Sequence, residues 1–210
     1  MDFPSELYAI ALGAPPVLLG ITLHEAAHGY VARMFGDRTA ELAGRITLNP
    51  IRHVDLIGTI VVPVALYLLK AGFLFGWAKP VPVNFANLDN PKRDMFWVAA
   101  AGPGSNLVMA IAWAIALRFV DSGGGMEFMA RLGVQINLIL MVLNLVPILP
   151  LDGGRIAVSL LPREIARVYS RTEPYGFIVI IALLATGMLS RLIDPLLDIA
   201  ERLLGSLVGV

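Results

Sequence analysis

His24-Glu25-Ala26-Ala27-His28 places two imidazoles four residues apart with a carboxylate between them. On a helix, positions i and i+4 share one face, so both rings can reach one Zn²⁺ at about 2.0–2.1 Å while the glutamate lies beside the ion. That arrangement suits hydrolysis, because it supplies two ligands for a metal that activates water and a base that takes the water's proton. The pattern is short and also arises in helices that bind nothing, so its surroundings give it weight. The stretch from Leu7 to Leu23 that leads into it is almost wholly apolar. Two histidines and a glutamate at membrane depth are costly unless they are paired or liganded. A polar cluster that merely seals two helices together is the competing reading.

A catalytic zinc commonly keeps three protein ligands and one open position. The sequence has no Cys, so the third ligand must be His, Asp or Glu, and His53, Asp55 and Asp152 are the candidates in apolar surroundings. Asp152 stands out, because Asn144-Leu-Val-Pro147-Ile-Leu-Pro150-Leu-Asp152-Gly153-Gly154 interrupts an apolar helix with two prolines and two glycines. Broken backbone inside a bilayer is tolerated only where protein or a water-filled cavity satisfies its free polar groups. Asp152 could instead cap the helix that follows, with Asp-Gly-Gly as a turn. His53, beside Asn49-Pro50, reads as a residue of the membrane surface.

The elements that must position these groups are apolar. Of 210 residues, 57% are hydrophobic and 15% charged, with a mean hydropathy of +0.75. A water-soluble fold of this size could not bury so much apolar surface. Spanning helices are predicted over about 15–35, 95–120, 132–151 and 175–190. The segment 57–72 reads as spanning or re-entrant, with Pro63 and Gly72 as breaking points, and 191–210 as an interfacial amphipathic helix or a last span. Pro15-Pro16 predicts the start of the first helix, which then ends at Gly36. Residues 41–49 suggest a short strand or hairpin, and Val81-Pro82-Val83-Asn84 an extended stretch, a pair that could receive a substrate by strand addition. The fold class is therefore all-α and multi-pass, a single domain over 1–210 with a short membrane-associated β element.

Formal charge is zero, which gives no sign of a nucleic-acid partner. The connections 33–53, 79–93 and 155–171 carry four, three and four Lys or Arg, and are assigned to the cytoplasmic side. The amino terminus has acids where a cleaved leader would be basic, and is read as retained.

Three ordered motifs on apolar segments resemble one family. His24-Glu25-x-x-His28, Gly102-Pro103-Gly104-Ser105-Asn106 and Asn144-x-x-Pro147-x-x-Pro150-Leu151-Asp152-Gly153 are similar to those of the site-2 proteases, intramembrane zinc metalloproteases, in the compact subgroup without a PDZ domain. The resemblance implies one zinc ion held by His24, His28 and Asp152, Glu25 as the general base, and Asn106 and Asn144 as contacts to substrate backbone. Either asparagine could instead bond between helices. The resemblance also implies membrane-spanning protein substrates, often trimmed first by another protease, cleaved at a cell membrane. A zinc-binding transporter or sensor is the alternative function.

Asp152 can meet His24 and His28 only if the 132–151 helix runs toward the same side as the first helix. The 95–120 helix must then run the other way, which requires the chain between Asp55 and Asp94 to return to its starting side.

Overall fold

The computed structural model describes residues 5–70 and 76–209. Helix α1 spans Ser5–Met34 and runs unbroken through Pro15 and Pro16, so it begins earlier than the prolines predict. Pro16 is fully buried, and close neighbours are what allow a proline inside an apolar helix. Gly36 ends the helix at φ 99°, a conformation that favours glycine, and the Asp37 N–H bonds back to the Ala32 carbonyl at 3.0 Å.

The next stretch corrects the expected β element. Thr39–Leu42 is a single helical turn, α2, residues 43–49 are irregular, and no strand occurs among the described residues. Gly44, at φ 63°, lets the Arg45 N–H close onto the Ala40 carbonyl, which coils the segment rather than extending it. After a 3-10 turn at Pro50–His53, a π-helical turn at Leu56–Val61 leads into α3, Val62–Leu68. Asp55 caps this pair by accepting from the Ile57 and Gly58 N–H groups. The chain then comes back alongside itself: the Trp77 N–H donates to the Gly58 carbonyl at 3.0 Å and the Lys79 N–H to the His53 carbonyl at 2.9 Å. Gly72 lies outside the described residues.

Residues 76–83 form neither helix nor strand, and Pro80 and Pro82 have no N–H to offer a ladder. A 3-10 turn at Phe85–Asn87 precedes α4, Pro91–Leu117, and α5 follows at Gly125–Leu145. Asp94 starts α4 by accepting from the Asn90 N–H at 2.7 Å. The chain then breaks at residues 146–151 and continues as α6, Asp152–Leu160, α7, Arg163–Ser170, α8, Glu173–Ala185, and α9, Met188–Val208.

Helices α1, α4 and α5 form the central bundle, with α6 against α4 and α9 across α4 and α5. Small residues let the bundle close: Gly13 faces Leu132, Gly20 faces Asn137 and Gly133 faces Trp113. One apolar core joins Ala110 and Ala114 of α4 to Leu138 of α5 and to Leu204 and Val208 of α9. A second joins Val142 and Val146 to Ile180, Leu189 and Ile193. The opposite face of α9 exposes Arg191, Asp194, Asp198, Glu201 and Arg202. Among the described residues, α4 and α5 are each long and apolar enough to cross a membrane, and α7 with α8 qualifies if that pair, bent by 63°, is one span.

The break at 146–151 is held from outside. The Tyr169 hydroxyl donates to the Pro147 carbonyl at 2.6 Å, and Gly176 of α8 lies so close to the Leu149 carbonyl that a Cβ could not be fitted. Gly176→Ala is expected to destabilise the fold by at least the ~1–3 kcal/mol typical of overpacking, because the opposing atom is backbone and cannot rotate away. A thermal unfolding midpoint in detergent measures this, and Gly187→Ala is no equivalent control because Gly187 sits at φ 68°.

Asp37 ties α1 to the approach to α4. It is fully buried and accepts from the Asn84 N–H at 2.7 Å, from the Thr39 N–H and hydroxyl, and from the Asn87 side chain. Burial alone would raise its pKa, but these hydrogen bonds outweigh it and hold the carboxyl below its ordinary 3.8. A depressed native pKa contributes stability that is present above 3.8 and lost as pH falls through the native value. Hydrogen-exchange protection at Asn84 is therefore expected to be full at neutral pH and to fall away in acid. In Asp37→Asn that pH dependence should disappear.

Candidate metal centre

Three candidate metal donors converge from two helices. His24 and His28 are one turn apart on α1, and Asp152 is the first residue of α6. Their Nε2 atoms are 3.1 Å apart, and Asp152 Oδ2 lies 3.2 Å from that of His24 and 3.4 Å from that of His28. Asp152 follows the N-cap residue Leu151, and its Oδ2 is buried without a hydrogen-bond donor. His53 stands elsewhere, with Nε2 on the Thr47 carbonyl at 3.0 Å, and Asp55 caps the π-helical turn.

The outward nitrogens fix the tautomers. His28 Nδ1 lies 2.7 Å from the Val98 carbonyl, which can only accept, so Nδ1 carries the proton. His24 Nδ1 lies 2.6 Å from Asn106 Oδ1 and likewise donates. With neutral rings, both Nε2 atoms therefore present lone pairs to each other and to Asp152 Oδ2, a buried oxygen that receives no hydrogen bond. Three lone pairs at such separations repel unless a cation lies among them. A tetrahedral zinc with ligands at about 2.0–2.1 Å would set its donors about 3.3 Å apart, so the residues fit that ion. Gly102 of α4 makes room for it, because a Cβ there would lie 2.6 Å from His24 Nε2 and closer still to His28 Nε2.

Glu25 is half-buried beside the histidines, and its Oε2 accepts from the Val81 N–H at 2.7 Å. The 76–83 segment thus runs past the carboxylate of the motif. Its position is fixed in turn by Arg45, which donates to the Lys79 carbonyl at 2.7 Å.

The two asparagines fare differently. Asn144 is half-buried and donates to the Leu140 carbonyl of its own helix at 2.9 Å, which leaves its Oδ1 uncommitted by that bond. Asn106 is fully buried, with Oδ1 on His24 and Nδ2 on the Gly20 carbonyl and on Asn137 Oδ1. Its amide is spent inside the bundle, on the interhelical bonding that stood as the alternative to a substrate contact. Asn137, equally buried, lies outside the motifs noted in the sequence, and a polar residue between Ile136 and Leu138 is the signal that could have found it.

Residues 120–187, which include Asp152, match peptidase family M50. YwhC of Bacillus subtilis, named as a zinc metalloprotease, is 39% identical over 191 residues, covering 87% of this chain and 84% of YwhC. The chain belongs to peptidase family M50. Rip2 of Mycolicibacterium smegmatis, named likewise, is 31% identical over 83% of this chain and 66% of its own length. Zinc metalloprotease MJ0392 of Methanocaldococcus jannaschii is 26% identical over 70% of this chain and 34% of its own length. No solved structure matches the chain. As an M50 member with spanning-length apolar helices, the protein is an integral membrane zinc metalloprotease.

Proposed function

We propose that this M50 protease cleaves peptide bonds in or next to the membrane-spanning segments of single-span proteins, some of them trimmed beforehand by another protease. The observation that carries the reading is the convergence of three lone pairs from His24, His28 and Asp152 on one point, with Glu25 beside them on the same helix. Bound there, zinc supplies a Lewis acid for the scissile carbonyl and lowers the pKa of an attacking water toward about 7. Glu25 takes the proton of that water as its oxygen bonds to the carbonyl carbon, and passes it to the nitrogen as the C–N bond breaks. Asn106 and the Val98 carbonyl hold the two imidazoles so that Nε2 faces inward. Asn144, near the end of α5, offers Oδ1 to an N–H of the unwound substrate.

In this reading α1 spans the bilayer with α4 and α5, and residues 1–210 act as one membrane domain. The hairpin from Leu56 re-enters without crossing. Its helical part, Leu56–Leu68, is 13 residues, about 20 Å at 1.5 Å per residue, which is short of the ~30 Å hydrocarbon core. Its exposed Leu56, Ile57, Val64, Tyr67 and Leu68 suit lipid contact. The basic connections support an orientation in which the metal-bearing ends of the helices face the cytoplasm of a cell membrane.

The test compares wild-type and Glu25→Gln protein by mass spectrometry of membrane fragments in the native host. Single-span fragments are expected to accumulate in Glu25→Gln. Identical fragment sets would sink the protease reading.

A further inference from the structure

His24 and His28 are oriented in different ways. The Nδ1 of His28 meets a backbone carbonyl directly, whereas that of His24 meets a side-chain amide that could present either its oxygen or its nitrogen. We propose that Asn137 of α5 is a positioning residue for the zinc ligand His24, acting through Asn106. The inference rests on the reading of His24, His28 and Asp152 as the zinc ligands.

The direction of the chain is set at its far end. Asn137 lies 2.8 Å from the Gly133 carbonyl, which can only accept, so the atom facing it must be the amide nitrogen. Asn137 Oδ1 therefore faces Asn106 at 3.0 Å and demands a donor there. The Gly20 carbonyl makes the same demand of the same Asn106 nitrogen at 3.2 Å. With Nδ2 committed twice, Asn106 can turn only Oδ1 toward His24, which must carry its proton on Nδ1 and keep the Nε2 lone pair for the metal.

Three further features suit this role. Asn106 and Asn137 are both fully buried, so water cannot replace either partner. Gly20 has no side chain to keep Asn137 away from α1, and a Cβ there would lie 3.0 Å from Asn137 Oδ1. The bonds link α1, α4 and α5, so the assembled bundle sets the tautomer of its own ligand. A leucine at 137 would occupy similar space while leaving the orientation of Asn106 to the 3.2 Å bond alone.

The experiment measures zinc affinity of the full chain in lipid nanodiscs by competition with a chromophoric chelator. The proteins are wild type, Asn137→Leu, Asn106→Leu, the double variant and His24→Ala. Loss of an outer partner of a metal-bound histidine typically weakens metal binding about 10–100-fold, and Asn137→Leu is expected at the lower end of that range. Because Asn137 acts through Asn106, the double variant is expected to bind zinc no more weakly than Asn106→Leu alone. A merely structural asparagine would weaken binding by the same factor in both backgrounds, and that result overturns the proposal, as does unchanged affinity in Asn137→Leu. Should Asn137→Leu fail to fold, Asn137→Asp carries the test. Its protonated carboxyl can donate to Gly133 and accept from Asn106, so wild-type affinity is expected, and loss of zinc from folded Asn137→Asp overturns the relay. Retention of zinc by His24→Ala overturns the ligand assignment itself, whereas its loss there beside unchanged affinity in Asn137→Leu overturns only the relay.

Discussion

Gly102→Ala is expected to deprive the protease of zinc, with a loss of affinity greater than the roughly 10–100-fold caused by changes to the outer partners of ligands. The added Cβ would fall on His28 Nε2 and within 2.6 Å of both Cε1 and Nε2 of His24, which is where a metal and its donors must fit. Neither ring can retreat easily, because His24 is bonded to Asn106 and His28 to the Val98 carbonyl through their far nitrogens. Relief would require α1 and α4 to separate. The control lies two residues along the same helix: a Cβ at Gly104 meets nothing within 4 Å. Gly104→Ala should keep its zinc and gain roughly 0.5–1 kcal/mol of helix stability from the lower backbone entropy of alanine. Metal content by mass spectrometry, read with the unfolding midpoint, separates the two. Equal zinc content in both variants would show that Gly102 does not border the metal.

The second expectation concerns the base. Glu25→Gln should lower the rate of peptide hydrolysis about 10²–10⁴-fold, the range for loss of general acid–base catalysis, while zinc content stays at the wild-type level. Glutamine is the informative replacement, since its amide oxygen still accepts from the Val81 N–H and keeps the 76–83 segment in place. What is lost is the capacity to take a proton. Asp152→Ala gives the contrasting pattern, in which zinc and hydrolysis disappear together, because it removes the only carboxylate of the three-donor group. If Glu25→Gln also lost zinc, its carboxylate would be holding the metal, and the division of labour between ligands and base would fail.

Much of this site was legible from residue types and spacing. Positions four apart on a helix share a face whatever surrounds them, so His24 and His28 had to point the same way with Glu25 between them in sequence. Pro147, Pro150, Gly153 and Gly154 announced an interruption in an apolar helix, and an acid at such a break needs a partner. The return of the chain between Asp55 and Asp94 followed from requiring Asp152 to meet the histidines, and Trp77 and Lys79 do lie back beside Gly58 and His53.

Other features depended on neighbours distant in sequence. Pro15 and Pro16 signal a helix start when read locally, but helix α1 passes through them, and Pro16 is buried by the bundle. The 41–49 segment alternates as a strand would, yet its partner stretch carries Pro80 and Pro82, and Gly44 turns the backbone before a ladder could begin. Asn106 was legible as a polar residue in an apolar helix, but its choice of His24 over a substrate was decided by α1 and α5 arriving on either side of it. The sequence by itself determined that His24 and His28 share one helix face with Glu25 between them, and that the surrounding helices are apolar, because helix periodicity and hydropathy are local properties. The tertiary structure alone decided which nitrogen of His24 faces the metal, because that depends on carbonyls of Gly20 and Gly133 that meet Asn106 and Asn137 only once three helices have closed together.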